Sequence, residues 1–175
     1  GSVLENSQLL KKVYIPKYMF PLEKCLFACV NLLFSMVAVL IVMAFSGVWP
    51  TATFFLFPFV VLLCLVFAIG MGLLLSSLTV FFRDIMHLYG VVLTAWMYAT
   101  PIIYPLDLAN LPGIIVAVMQ FNPMYYFVTM LRDVLLYNTV PSLSMWLCAA
   151  TFAFGFLLLG LWCFKKKQDR FVLYV

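Results

Sequence analysis

The sequence predicts an all-α integral membrane protein with four transmembrane helices and a re-entrant pair of short helices on the outer side. Two features of its composition and one of its charge pattern predict this class. The chain is 67% hydrophobic, only 9% of its 175 residues are charged, and those charges lie at the ends of long apolar intervals. A soluble domain carries about a quarter charged residues, so the bilayer is the expected solvent.

Four intervals without any charged residue reach the roughly 20 residues that a spanning helix needs. They are 25–82, 85–106, 108–131 and 134–164, and the first is long enough for two spans with a break at 46–50. The predicted transmembrane domain therefore covers residues 22–164. Its spans are expected at about 22–45, 53–81, 86–104 and 144–164.

The basic residues determine how many intervals cross the membrane. Lysines precede the first span, and a second basic group follows the last one. They are Lys11, Lys12, Lys17 and Lys24, then Lys165, Lys166, Lys167 and Arg170. Because positive residues in short loops favour the cytoplasmic side, both ends should be inside and the number of crossings even. Residues 1–21 then form a cytoplasmic segment, and residues 165–175 form a cytoplasmic basic tail.

The interval 108–131 is the one that does not cross. Pro112-Gly113 and Asn122-Pro123 divide it into pieces of about eight residues. Each piece spans about 12 Å as a helix, against a hydrocarbon core of about 30 Å. The sequence therefore predicts two re-entrant helices at about 112–138, the second with Asn122 as its N-cap and Pro123 at its first helical position.

Residues typical of catalysis or metal binding do not cluster. The five cysteines all lie in apolar stretches without a metal-ligand spacing, and we expect them to pack as small hydrophobic residues. His87 is the single histidine and is expected to bond locally. The net charge of +4 comes from residues beside membrane segments, so nucleic acid is not an expected partner. No metal site is predicted.

The glycine-containing run "GMGLLLSS" at 70–77 lies inside a predicted span and lacks the Gly-Lys-Ser/Thr of a phosphate loop. Ala68, Gly72 and Ser76 recur every four residues, which predicts a small-residue face for close helix contact.

The Arg83-Asp84 pair predicts a tight cytoplasmic turn between two spans, and its simplest interpretation is an interfacial anchor. Pro101 and Pro105 then mark where the next span kinks and stops at the outer surface. Aromatic residues near an interface more often form a belt than a binding site. Those near this surface are Trp96, Tyr98 and Tyr104.

Three segments in this order resemble a known family. They are "NSQLLKKVYIPKYMFPLEK" at 6–24, "FFRDIMHLYGVVLTAWMYATPIIYP" at 81–105 and "FNPMYYFVTMLRDVLL" at 121–136. The chain resembles the permease subunit of ABC-2-type ABC exporters, and most closely the branch that exports lipid-linked polysaccharide, O-antigen and teichoic acid. That family has six spans preceded by an amphipathic surface helix. The spans here correspond to its third to sixth, about the C-terminal two-thirds of a subunit.

The resemblance implies a transport function rather than an enzyme. It implies a multi-pass permease in the bacterial plasma (inner) membrane that pairs with a second copy of itself and with a separate cytoplasmic ATPase. ATP and Mg would be bound by that ATPase, and no cofactor is expected in this chain. The implied substrate is a lipid-linked glycan.

The resemblance also assigns a coupling role to the N-terminal segment. A short helix there would dock on the ATPase and transmit its closure, with Pro16 and Pro21 fixing the angle at which it enters the first span. The coupling residues are Leu9, Leu10, Lys11, Lys12, Val13, Tyr14, Ile15, Pro16 and Lys17. The alternative is a basic segment attracted to anionic lipid, at about 1 kcal/mol per lysine.

Two further groups of residues are candidates for the transport path. Helical spacing puts Tyr89, Leu93, Trp96 and Thr100 on one face, which suits either a sugar path or plain packing. The candidates for lining the path are Tyr89, Trp96, Tyr98, Thr100 and Tyr104. The candidates for an outer gate are Asn122, Pro123, Tyr125, Tyr126, Arg132 and Asp133. Arg132 has three readings: a solvated ion pair with Asp133, a contact for phosphate or sugar hydroxyls at the pathway mouth, or a lock across a dimer.

Other functions remain open at this point. The alternative within transport is an ABC-2 exporter of drugs or small lipids. A membrane-embedded transferase acting on lipid-linked sugars would need a buried acid/base pair, whereas Asp84, Asp107 and Asp133 all lie at predicted span ends. A purely structural assembly protein would have no use for a coupling segment and a broken outer helix.

Overall fold

The computed structural model describes residues 18–47, 51–79, 85–102 and 119–167, and all regular structure within these ranges is helical. The predicted all-α class is confirmed. A 3-10 turn at Ala52–Leu56 leads directly into α2, and a π-helical turn at Asp133–Tyr137 continues α4. The helices of the described ranges are α1 (Met19–Phe45), α2 (Phe57–Thr79), α3 (Ile85–Ala99), α4 (Pro123–Arg132) and α5 (Leu143–Lys167).

Three of these helical stretches are long and apolar enough to cross a membrane. They are Pro21–Phe45, Ala52–Thr79 and Leu143–Lys166. The chain is therefore a multi-pass membrane protein. Helix α3 has 15 residues, or about 22 Å, which is less than the roughly 30 Å hydrocarbon core. The predicted crossing at 86–104 stays a prediction, since the described part ends at residue 102.

Helix α1 begins three residues before the predicted span and ends where that span was predicted to end. Pro21 is tolerated in its first turn because the backbone N–H groups there have no partner within the helix. The helix stops at Ser46-Gly47, where Gly47 has φ +74°, a conformation that glycine adopts at little cost. Large apolar side chains on α1, such as Phe34 and Phe45, are exposed in the isolated chain and suit contact with acyl chains.

The chain divides into two compact units, and the first comprises Gly1–Trp49, Leu62–Met86 and Ala153–Val175. In its described part, α2 and α5 approach most closely at Gly70 and Gly160. A Cβ built on Gly160 would collide with the carbonyl oxygen of Gly70, and one built on Gly70 would lie 2.5 Å from the backbone nitrogen of Leu157. Small residues permit such close backbone contact in membranes.

The predicted small-residue face on α2 contacts α1 within this same unit. The Sγ of Cys25 lies 3.5 Å from the carbonyl oxygen of Ala68 and 3.1 Å from a Cβ built on Gly72. The closest crossing nevertheless uses Gly70, which lies off that face. Ring contact between Phe67 and Phe156, with centroids 5.3 Å apart, adds to the packing of α2 on α5.

The second unit comprises Pro50–Val61 and His87–Phe152. Its best-buried side chains include Phe127, Met130 and Val134, which are at most 1% exposed. These three positions recur at the three- and four-residue spacing of one helical face, so α4 and its π-helical extension bury a continuous apolar stripe. Val60 and Ala149 are fully buried in the same unit.

The π-helical turn has partners at both ends. The carbonyl oxygen of Val134 accepts a 3.2 Å hydrogen bond from Thr53 Oγ1, on the 3-10 turn that precedes α2. The turn ends at Asn138, which is left-handed with φ +52°, and Thr139 N donates to the carbonyl oxygen of Asp133 at 2.9 Å. Asparagine is the residue after glycine that most readily takes this conformation.

Candidate functional site at the junction of α3 and α4

Helix α3 ends because a proline follows it closely. Pro101 has no N–H to donate and disfavours helical backbone at Thr100, so the last helical residue is Ala99. Thr100 is 3% exposed and Pro101 is also buried, whereas Ile102 is 51% exposed, so the broken end is covered only in part. A backbone end in an apolar setting requires hydrogen-bond partners, and the chain supplies them.

Helix α4 begins as the sequence predicts. The side chain of Asn122 accepts a 3.0 Å hydrogen bond from the backbone nitrogen of Met124, and Pro123 occupies the first helical position. The predicted Asn-Pro cap is confirmed. The same Asn122 side chain also reaches out of its own helix.

Asn122 joins two side chains of α3. Trp96 Nε1 donates to Asn122 Oδ1 at 2.8 Å, and Asn122 Nδ2 donates to Thr100 Oγ1 at 2.8 Å. Thr100 Oγ1 in turn donates to the carbonyl oxygen of Trp96 at 2.8 Å. These bonds form a closed ring of neutral donors and acceptors, which we call the polar network. Asn122 Oδ1 accepts twice, once from the indole and once from its own helix.

Arg132 fastens the other end of α4 to the same broken end. Its Nη2 donates to the carbonyl oxygens of Pro101 and Ile102 at 3.0 and 3.1 Å. A cation at the C-terminal end of a helix is also favoured by the helix dipole. Arg132 is partly buried and bonds carbonyl groups of its own chain. This role in joining α4 to the end of α3 is a fourth interpretation, which the sequence did not suggest. The predicted contact of Arg132 with phosphate or sugar hydroxyls of a substrate stays a prediction.

Other predicted pathway residues lie apart from this ring. Tyr89 is 39% exposed and Tyr98 is 68% exposed on α3, whereas Trp96 is partly buried and Thr100 is buried. The face that spacing predicted as one stripe is therefore divided between Tyr89 and Leu93, which are exposed, and Trp96 and Thr100, which bond Asn122. Both groups stay candidates for the pathway.

The candidate gate tyrosines are in ring contact with each other, and Tyr126 also contacts α5. The ring centroids of Tyr125 and Tyr126 are 5.3 Å apart in an edge-to-face arrangement, and Tyr126 lies 5.8 Å from Phe152. Such pairs add about 0.5–1.5 kcal/mol beyond the burial of their area. Asp133 follows Arg132 and begins the π-helical turn.

Several predicted site residues lie outside the described part of the chain. They are the coupling residues 9–17, the turn residues Arg83 and Asp84, and Tyr104. Among the described residues there is no cluster of three or more His, Cys, Asp or Glu side chains that could hold a metal ion.

Sequence reasoning missed the role of two carbonyl groups, those of Pro101 and Ile102, as acceptors for Arg132. A usable signal was present. A proline that breaks a helix leaves carbonyl groups without partners, and an arginine in an apolar stretch needs acceptors.

These features define a multi-pass helical membrane protein whose described polar side chains join helices at a proline break. The chain belongs to the ABC-2 type transporter family, which it matches over residues 2–136. The resemblance found in the sequence is thereby confirmed.

Individual relatives match nearly the whole chain. It is 26% identical over 171 residues to the O-antigen export system permease protein RfbA of Myxococcus xanthus, covering 98% of this chain and 66% of that protein. Two proteins of the same name from Klebsiella pneumoniae are each 24% identical over 173 residues, covering 97% of this chain and 65% of theirs. The chain spans about two thirds of the length of these relatives.

Proposed function

We propose that this chain is part of the permease subunit of an ABC exporter that moves a lipid-linked polysaccharide or teichoic-acid-like polymer across the bacterial plasma membrane. The observation that carries the proposal is the similarity to O-antigen export permeases over 97–98% of the chain. It extends from the N-terminal segment through α5, so it is not confined to generic apolar helices.

The energy for transport would come from a partner. A cognate cytoplasmic ATPase binds ATP and Mg, and its closure is transmitted through residues 9–17 to α1. A second copy of the permease completes the path, and both ends of the chain face the cytoplasm. The family membership supports an ATPase partner. The homodimer and the orientation rest on the family resemblance and on the positions of the basic residues.

The geometry of the second unit supports a gate at the exit end of the path. A short helix that cannot cross the bilayer lies next to a proline break, and its polar contacts are few and specific. Irregular backbone at membrane depth is tolerated only where protein or a water-filled cavity covers it. Asn122, Pro123, Tyr125, Tyr126, Arg132 and Asp133 are the residues of this proposed gate, and Tyr89, Trp96, Tyr98, Thr100 and Tyr104 are proposed to line the path leading to it.

The proposal is tested in cells that lack the full-length gene, by measuring polymer at the cell surface and lipid-linked polymer retained inside. We expect loss outside together with accumulation inside, restored by the full-length gene. Normal surface polymer together with new sensitivity to drugs would indicate that the exporter carries drugs or small lipids instead of a polymer. Loss of polymer from both sides would place the protein in synthesis, as a membrane-embedded transferase, and would overturn the export proposal.

A further inference from the structure

We propose that the polar network of Trp96, Thr100 and Asn122, together with the contacts of Arg132 to Pro101 and Ile102, is a latch that holds α4 against the end of α3 when the exit gate is closed. The four side chains are positioning residues of the gate. The proposal rests on the proposed function, since it takes the α3–α4 junction as the gate of a transport path.

The latch attaches α4 at both ends to a short stretch of chain. Asn122, just before α4, bonds Trp96 and Thr100, and Arg132, its last residue, bonds the next two carbonyl groups along, at 101 and 102. Nine residues of α4 lie between Asn122 and Arg132, whereas the partners of these two side chains all lie within residues 96–102. Both ends of α4 are thus hydrogen-bonded to the C-terminal end of α3 and the two residues that follow Thr100.

The chemistry of the network suits a contact that opens and closes. An indole N–H, an amide and a hydroxyl are neutral groups whose bonds exchange with water at a small net free-energy change. Where water is excluded, leaving any of them unpaired is costly, so the closed junction is specific. Where a hydrated path admits water or sugar hydroxyls, those molecules replace the lost partners.

A separate contact holds α4 when the latch is open. Thr53 donates to the carbonyl oxygen of Val134 in the π-helical turn, beyond the last residue of α4, and Val134 itself is 1% exposed. Because π-helical turns break the regular ladder of hydrogen bonds, this extension is where α4 can pivot. The N-terminal end at Asn122 is then the end that moves.

The test uses the full-length permease with its ATPase, reconstituted in vesicles that contain entrapped carboxyfluorescein, and measures dye release without ATP. Trp96→Phe removes the indole N–H and keeps a ring. Thr100→Val removes the hydroxyl and keeps the shape. Each is expected to raise ATP-independent release about threefold, the factor for one hydrogen bond between membrane helices.

The matched control is Thr94→Val on the same helix. Thr94 Oγ1 donates to the carbonyl oxygen of Gly90 at 3.0 Å, four residues back, just as Thr100 donates to Trp96. Thr94 is exposed and is not part of the polar network. Its loss should leave dye release unchanged, and Thr100→Ser, which restores the hydroxyl, should return release to the level of the unaltered protein.

The outcomes separate the latch from the function it serves. Unchanged release in both Trp96→Phe and Thr100→Val overturns the latch, even if cells lacking the gene show the export defect. Equal increases in those variants and in Thr94→Val overturn it as well, because general loosening of α3 would then be the cause. Increased release confined to the two network variants supports the latch whichever substrate the exporter carries.

Discussion

The indole nitrogen of Trp96 donates a hydrogen bond of 2.8 Å to Oδ1 of Asn122, which lies 26 residues further along the chain. The same amide oxygen accepts from the backbone nitrogen of Met124 at the start of α4. One side chain therefore both starts a helix and attaches it to the helix before. Both the cap of α4 and the contact with α3 depend on this side chain. Substitutions at Asn122 should therefore destabilise the protein by different amounts, according to which of these bonds they remove.

Asn122→Ala should lower the thermal unfolding midpoint of the purified full-length permease more than Asn122→Asp. The alanine variant loses the helix cap, which is worth about 1 kcal/mol, and leaves the Trp96 N–H without its acceptor, at a further cost of about 1–3 kcal/mol. Aspartate keeps an acceptor for both donors and loses the amide donor to Thr100, and its negative charge is favoured at the N-terminus of α4. Equal midpoints for the two variants would show that the acceptor oxygen contributes little.

Long apolar intervals bounded by charges were sufficient to predict α1 and α5. The span predicted at 22–45 corresponds to Met19–Phe45, and the one predicted at 144–164 corresponds to Leu143–Lys167. Helix length in a bilayer is set by the hydrophobic thickness, and composition reports that length directly. Composition did not show which helices α1 and α5 pack against. A helix face that contacts lipid and one that contacts protein are both apolar, so the sequence does not distinguish them.

The sequence was less informative about α3. Spacing put Trp96 and Thr100 on one face together with Tyr89, but it did not reveal what that face meets. The partner, Asn122, lies 22 residues beyond Thr100 and was predicted as a helix cap and a gate residue, but not as a partner of α3. A contact between distant segments depends on the path of the chain between them, and the local spacing of residues carries no information about that path.

Replacing Arg132 tests whether this side chain acts in transport or is only a solvated charge. If Arg132 acts through its two carbonyl contacts, Arg132→Ala should reduce polymer export severalfold. Arg132→Lys should restore part of it, since an ammonium group is a compact donor without the planar fork of guanidinium. Surface polymer and the amount of folded permease are measured together. Full activity of the alanine variant would return Arg132 to the solvated ion pair that the sequence also allows.

The coupling prediction is tested by Tyr14→Asp together with Ile15→Asp. Charges on the apolar face of the segment should uncouple ATP hydrolysis from export, because burying an unpaired carboxylate against the ATPase is costly. We expect polymer export to fall at least tenfold while the permease remains folded in the membrane. ATP hydrolysis and export are measured in the same vesicles.

The matched variant Lys11→Gln with Lys12→Gln tests the lipid alternative for the same segment. Attraction to anionic lipid would be lost with these charges, whereas docking through apolar residues would be largely retained. An export defect in the lysine variant combined with normal export in the Tyr14/Ile15 variant would contradict coupling.

The close contact of α2 with α5 predicts opposite outcomes for two glycines on one helix. Gly160→Ala puts a methyl group against the backbone oxygen of Gly70, so the helices must separate, at a cost of about 1–3 kcal/mol. Gly155→Ala meets no atom within 4 Å and should gain up to about 1 kcal/mol from helix propensity. Thermal unfolding of the full-length permease in detergent should therefore fall for the first variant and hold or rise for the second. Matching losses in both would mean that contacts other than the crossing at Gly70 decide how α5 responds to an added methyl group.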